Sequence, residues 1–139
     1  MSDANSSRPG GGTLKRLRRR LDFVRAAKGV RAHAESLILQ AAARQDATGP
    51  RLGFTITRKL GGAVIRNRIR RRLKAAAAKA QPIEWEGDTD YVVVARLEAL
   101  RRSLPALIDD LQAALRRVRR ERMKRRDAEA RRPDRTDKD

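Results

Sequence analysis

Leu14, Leu17, Leu21 and Val24 recur at three- and four-residue spacing, which predicts an amphipathic helix ended by Gly29. Its other side carries Lys15, Arg16, Arg18, Arg19 and Arg20. Residues 30–34 read as a short extended piece. Residues 36–43 and 51–57 then read as two strands joined by a turn at Thr48, Gly49 and Pro50. Leu52, Phe54 and Ile56 alternate with Gly53, Thr55 and Thr57, so one sheet face is apolar and the other open. Gly61 and Gly62 interrupt the chain ahead of a helix over 63–80. Asp90 then opens the continuous apolar run Tyr91-Val-Val-Val-Ala95, which reads as a buried central strand. Ser103 can cap a last helix with Pro105 in its first turn, its core face formed by Leu104, Leu107, Ile108, Leu111, Leu115 and Val118. The pattern is that of one small α+β domain over residues 14–122.

Flanking that domain, residues 1–13 are small, polar and rich in Gly, and residues 123–139 are basic with almost no apolar content. Both are expected to be disordered tails, because such compositions cannot offset the entropy of ordering by apolar burial.

Composition narrows the chemistry. The 35 Lys and Arg against 17 Asp and Glu leave a formal charge of +18 on 139 residues, which requires polyanionic partners. With no cysteine and the single His33, neither a thiolate nor a histidine-based metal centre can be built, and cysteine nucleophiles are excluded. No apolar run approaches the roughly 20 residues that span a bilayer, and nothing at the N-terminus resembles a signal sequence. A soluble, cytoplasmic protein is expected.

The densest charge lies in Ile65-Arg-Asn-Arg-Ile-Arg-Arg-Arg-Leu-Lys74. At about 100° per residue, Ile65, Ile69, Leu73, Ala76 and Ala80 form an apolar base, while Asn67, Arg68, Arg70, Arg71 and Lys74 share the opposite side. An arginine run can be merely a solvated helix face. This one has no Glu at i±4 to relieve its self-repulsion, so an anion must supply the relief. Guanidinium forks suit phosphate oxygens, and Asn67 can donate to a phosphate or a ribose hydroxyl. Elsewhere the residues suggest less. His33 reads as a surface residue, Glu84, Glu86, Asp88 and Asp90 as solvated turn residues rather than a magnesium site, and Trp85 as a core plug or loop anchor. Phe23 fits either the core or a binding surface.

The stretch from Arg51 to Lys74, with its strand, glycine turn and Arg66-Asn67-Arg68 helix, closely resembles the protein subunit of bacterial ribonuclease P. The resemblance extends to Leu21-Asp22-Phe23, to Asp90–Arg96 and to the last helix, covering about residues 17 to 120. It implies an αβββαβα order, a four-stranded sheet and a left-handed crossover from the strand ending at Thr57 through the basic helix to the strand at Tyr91, against the usual right-handed rule. It implies contacts to a catalytic RNA through Arg58, Lys59, Arg66, Asn67, Arg68, Arg70, Arg71 and Lys74. It also implies a cleft for the 5′ leader of precursor tRNA between the first helix and the open sheet face, at Phe23, Gln40, Thr55 and Thr57. Other aromatics common to that cleft are replaced here by Ala26 or Ala27 and by Gln40, and Gly62 stands where Asn is frequent.

The expected function is thus that of the protein subunit of a tRNA-processing endonuclease whose active site lies in RNA. No catalytic residue and no metal site is expected in the protein, Mg²⁺ being held mainly by the RNA, with one protein per RNA. A structural ribosomal RNA binder would share the charge and size but gives no reason for a cleft beside Phe23. A DNA-binding protein would share the basic tail, yet no helix-turn-helix or dimer seam is evident.

Overall fold

The computed structural model describes residues 14–80 and 85–131. The expected N-terminal tail, Glu84 and residues 132–139 lie outside the described residues. The elements are β1 (Lys15–Arg16), α1 (Arg20–Ala27), β2 (Val30–His33), β3 (Leu37–Ala43), β4 (Arg51–Thr55), α2 (Ala63–Lys79), β5 (Thr89–Ala95) and α3 (Leu104–Arg131), with 3₁₀ turns at Arg58–Leu60 and Leu97–Leu100.

All strands join one mixed five-stranded sheet in the order β1-β4-β5-β3-β2. As its continuous apolar run predicts, β5 is central. It pairs parallel with β4 and antiparallel with β3, and α2 is the crossover that parallel neighbours require. The successive strands β3 and β4 are therefore not a paired hairpin; β5 lies between them.

The start of the chain also differs from the pattern. The stripe expected to be helical from Leu14 is instead extended over Lys15–Arg16, which makes the sheet five-stranded rather than four-stranded. Lys15 N donates to Pro50 O at 2.9 Å and Leu17 N to Leu52 O at 3.0 Å, so the open edge of β4 captures this segment. The helix begins only at Arg20, which turns Leu21 and Val24 outward and places Phe23 and Ala26 against the sheet.

The two sheet faces are unequal. Leu37, Leu39, Leu52, Tyr91 and Val93 point to the large core, where α2 contributes Ile69, Leu73, Ala76 and Ala77 and α3 contributes Leu107, Leu111, Leu115 and Val118. Ser103 Oγ accepts from Ala106 N at 3.2 Å, which is the expected cap of α3. Trp85 plugs one end of this core, edge-on to Tyr91 with ring centroids 4.9 Å apart. The opposite face carries only α1 over Leu17, Val92 and their neighbours. One helix cannot cover a five-stranded sheet, so part of that face stays open.

At its far end α3 does not stop near Arg122 as its loss of apolar residues suggests; it remains helical to Arg131. Arg122 is itself buried, with Nη1 donating to Thr89 Oγ1 at 2.6 Å and to Glu86 Oε1. Arg126 reaches Glu86 and Asp88 at 3.9 and 4.0 Å. Glu86 and Asp88 thus offset the charge of Arg122 and Arg126 and hold the helix past the end of the apolar stripe.

Candidate nucleic-acid interface

Helix α2 carries seven Lys or Arg residues and no acid. Ile69, Leu73, Ala76 and Ala80 are buried, as the spacing predicts, with Ala77 added to them, but Ile65 sits half out of the core near the helix start. Asn67, Arg68, Arg71 and Lys74 are exposed, and Arg66 and Arg70 are partly buried. Arg58 and Lys59 stand exposed on the 3₁₀ turn between β4 and α2. That turn closes at Gly61, whose φ of +145° strongly favours glycine. Arg66 Nε donates to Gly61 O at 3.1 Å, so this arginine also fastens the turn to the helix.

Arg72 plays a different part. Its Nε donates to Ala99 O at 3.0 Å and its Nη2 to Arg102 O, so it ties α2 to the turn after β5. The arginine run is thereby divided into an exposed row and a structural tether.

On the open sheet face, β-register aligns Arg31, Gln40, Val92 and Gly53 in one cross-strand row and His33, Ile38, Val94 and Thr55 in the next. Phe23 lies over Gly53 so closely that a Cβ there would come within 2.5 Å of the phenyl Cζ. Any side chain at this position would have to displace the ring. Phe23 is partly buried among Leu17, Ala26 and Val92, so it belongs to the small core and to the rim of the open face at once. Gln40 and Thr55 are partly exposed on the floor beside it, while Thr57 lies past the end of β4, exposed at the entry to the basic turn. The floor therefore leads toward Arg58 and Lys59. His33 is exposed at the β2 edge, and its carbonyl accepts from Arg117 at 2.7 Å.

Beneath α1 lies a cluster that periodicity did not reveal. Asp90 is fully buried, not a solvated turn residue. Its Oδ1 accepts from Arg44 Nη1 at 2.7 Å and Arg51 Nε at 2.6 Å, and its Oδ2 from Arg25 Nη2 and Arg51 Nη2, both at 2.8 Å. Hydrogen bonding to Asp90 pushes the Arg51 guanidinium above its already high ordinary pKa. One carboxylate thus joins α1, the β3–β4 loop, β4 and β5. The available signal was an acid placed at the mouth of an apolar strand in an arginine-rich chain. Glu86 and Asp88, likewise expected to be solvated, are instead engaged by Arg122 and Arg126.

The family model described as Ribonuclease P matches residues 13–119. The chain belongs to the ribonuclease P protein family. It is 46% identical over 110 residues to the ribonuclease P protein component of Paramagnetospirillum magneticum, covering 76% of this chain and 83% of that one. To the same component of Ruegeria pomeroyi it is 42% identical over 105 residues, covering 73% and 84%. Among solved structures, the RNase P protein of Thermotoga maritima superposes with a TM-score of 0.61 at 26% identity, covering 74% of this chain and 96% of that one. A Staphylococcus aureus RNase P protein mutant gives 0.64 at 24% identity, covering 75% and 87%, a likeness of fold. Within this ribonuclease P family member, the end of β4 carries the open sheet face into the basic turn and on to α2, whereas the residues beyond 119 lie outside the family match.

Proposed function

We propose that this chain serves as the protein component of ribonuclease P, the ribonucleoprotein that hydrolytically removes the 5′ leader of precursor tRNA, with the active site in the RNA subunit. The observation that carries the reading is the continuity of two surfaces. Thr57, Arg58 and Lys59, exposed where β4 ends, join the open sheet floor rimmed by Phe23 to the exposed row of Asn67, Arg68, Arg71 and Lys74 on α2. The row suits the phosphate backbone of the catalytic RNA, and the floor suits a single-stranded leader whose bases meet Phe23, Gln40 and Thr55.

In this role the protein contributes charge and position, not a nucleophile. Partly buried Arg66 and Arg70 complete the RNA-facing set, and Thr57 stands where leader and catalytic RNA meet. Base stacking contributes about 1 to 3 kcal/mol per base, and with Phe23 the sole aromatic at the cleft, the leader is held mainly by charge and hydrogen bonds. Neutralising phosphate repulsion lets the RNA retain its Mg²⁺ at lower concentration; one protein acts per RNA, in the cytoplasm. No described helix is long and apolar enough to cross a membrane.

The test is reconstitution with a ribonuclease P RNA at low Mg²⁺. The protein should restore leader removal that the RNA alone performs poorly, and the protein without RNA should cut nothing. Absence of stimulation, or cleavage by the RNA-free protein, overturns the reading. A ribosomal role predicts instead that the chain stays with ribosomes through a high-salt wash.

A further inference from the structure

Helix α3 runs for 28 residues, about 42 Å, whereas the seven residues of β5 against which it lies span only about 23 Å. It starts beyond the C-terminal end of β5 and runs back past the N-terminal end, where Arg122 bonds Thr89. The family match ends at residue 119, and the helix continues for twelve residues more. The glycine turn and the first arginines of α2 follow the C-terminal end of β4, which is parallel to β5. The protruding end of α3 is thus separated from Arg58 and Lys59 by roughly the length of the sheet.

The protruding part is held by one face and charged on the other. Arg122 is buried among Glu86 and Thr89, and Arg126 leans on Glu86 and Asp88. At about 100° per residue, Arg120, Lys124 and Arg131 all fall within about 20° of the direction opposite Arg122, with Asp127 the nearest acid beside them. All of these are exposed. A basic stripe on a helix pinned by a buried arginine is a preorganised arm, for which little ordering entropy is left to be lost on binding.

We infer that the last three turns of α3 form a second RNA-binding surface, which grips backbone phosphates of the catalytic RNA at a place separate from the contact made by the basic turn and the start of α2. This rests on the reading of the chain as a ribonuclease P protein component. The charge stripe selects a polyanion, and its lack of apolar or aromatic side chains selects backbone rather than bases.

The experiment uses the full chain and a ribonuclease P RNA. The variant Arg120→Gln, Lys124→Gln, Arg131→Gln keeps helix-forming side chains and removes the charge. Its log-log salt slope of RNA affinity should fall by about two to three, somewhat under one per lost contact, with unchanged helicity by circular dichroism. Hydroxyl-radical footprinting should show one protected RNA segment lost while another persists. Arg68→Gln with Arg71→Gln should remove that other segment, and the two sets should combine additively. Arg120→Lys with Arg131→Lys should retain both slope and footprint. If the unaltered chain fails to bind the RNA, the functional reading falls first. If it binds and the α3 variant shows the same slope and footprint, the second surface does not exist.

Discussion

Asp90→Asn is nearly isosteric, and it probes how α1 is held over the sheet. The carboxylate accepts four hydrogen bonds from Arg25, Arg44 and Arg51, and Asn can accept at one oxygen only. Its amide would present hydrogens to donors. The three guanidinium groups differ in their recourse. Arg25 and Arg51 have side chains 44% and 29% exposed and lie 3.7 and 3.6 Å from Asp22, so water and a second carboxylate can receive them. Arg44 is 5% exposed, and the structure offers it chiefly the carbonyls of Gly49 and Gly87 and the exposed Asp46. Breaking a buried pair costs about 3 to 5 kcal/mol, and with two of the three arginines able to resolvate, the low end applies, about 3 kcal/mol.

In urea, at an m value of about 1.5 kcal/mol per M, that is a midpoint shift of about 2 M. Replacing Arg44 by Met in the Asp90→Asn background removes the stranded charge and should recover part of the loss, giving a coupling of about 1 to 3 kcal/mol in a double-mutant cycle. A loss below about 1 kcal/mol at unchanged m, or strict additivity with Arg44→Met, would refute the idea that this carboxylate organises the arginines around it.

Phe23→Ala should lower the preference for precursor over mature tRNA while leaving affinity for the catalytic RNA nearly intact; as the ring is only partly buried, the stability loss should stay below the 3 to 5 kcal/mol of a core phenyl, checked by thermal unfolding. Gly53→Ala drives a methyl into the Phe23 ring and should cost about 1 to 3 kcal/mol, with a matching loss of leader binding measured by fluorescence titration. Arg72→Ala should destabilise by about 1 to 3 kcal/mol while preserving the salt slope of RNA binding, the reverse of Arg68→Ala with Arg71→Ala. Burial pushes the Tyr91 hydroxyl up to about 12. Since an unfolded tyrosine titrates near 10, between about pH 10 and 12 the unfolded chain loses this proton first, and stability falls by up to roughly 3 kcal/mol; alkaline unfolding of Tyr91→Phe should lack that component.

Much of this molecule is legible along the chain because local rules decide it. A run such as Tyr91 to Ala95 has no polar side to turn to water, so it must be central; Ser103 and Pro105 start a helix wherever it packs; the arginine row of α2 must turn outward once its apolar base is buried. What remained hidden depends on partners distant in sequence. Leu14, Leu17, Leu21 and Val24 carry a helical period, yet the vacant edge of β4, some 35 residues away, pairs with the backbone of 15–17 and resets which side of α1 faces inward. The arginines at 25, 44, 51, 72 and 122 look alike in sequence to those at 68, 71 and 120. Tertiary structure alone brings a buried carboxylate, a carbonyl or a threonine hydroxyl to the first group and leaves the second exposed. An arginine's role follows from the desolvation and the acceptors around it, and those exist only once β5 has been inserted between β3 and β4.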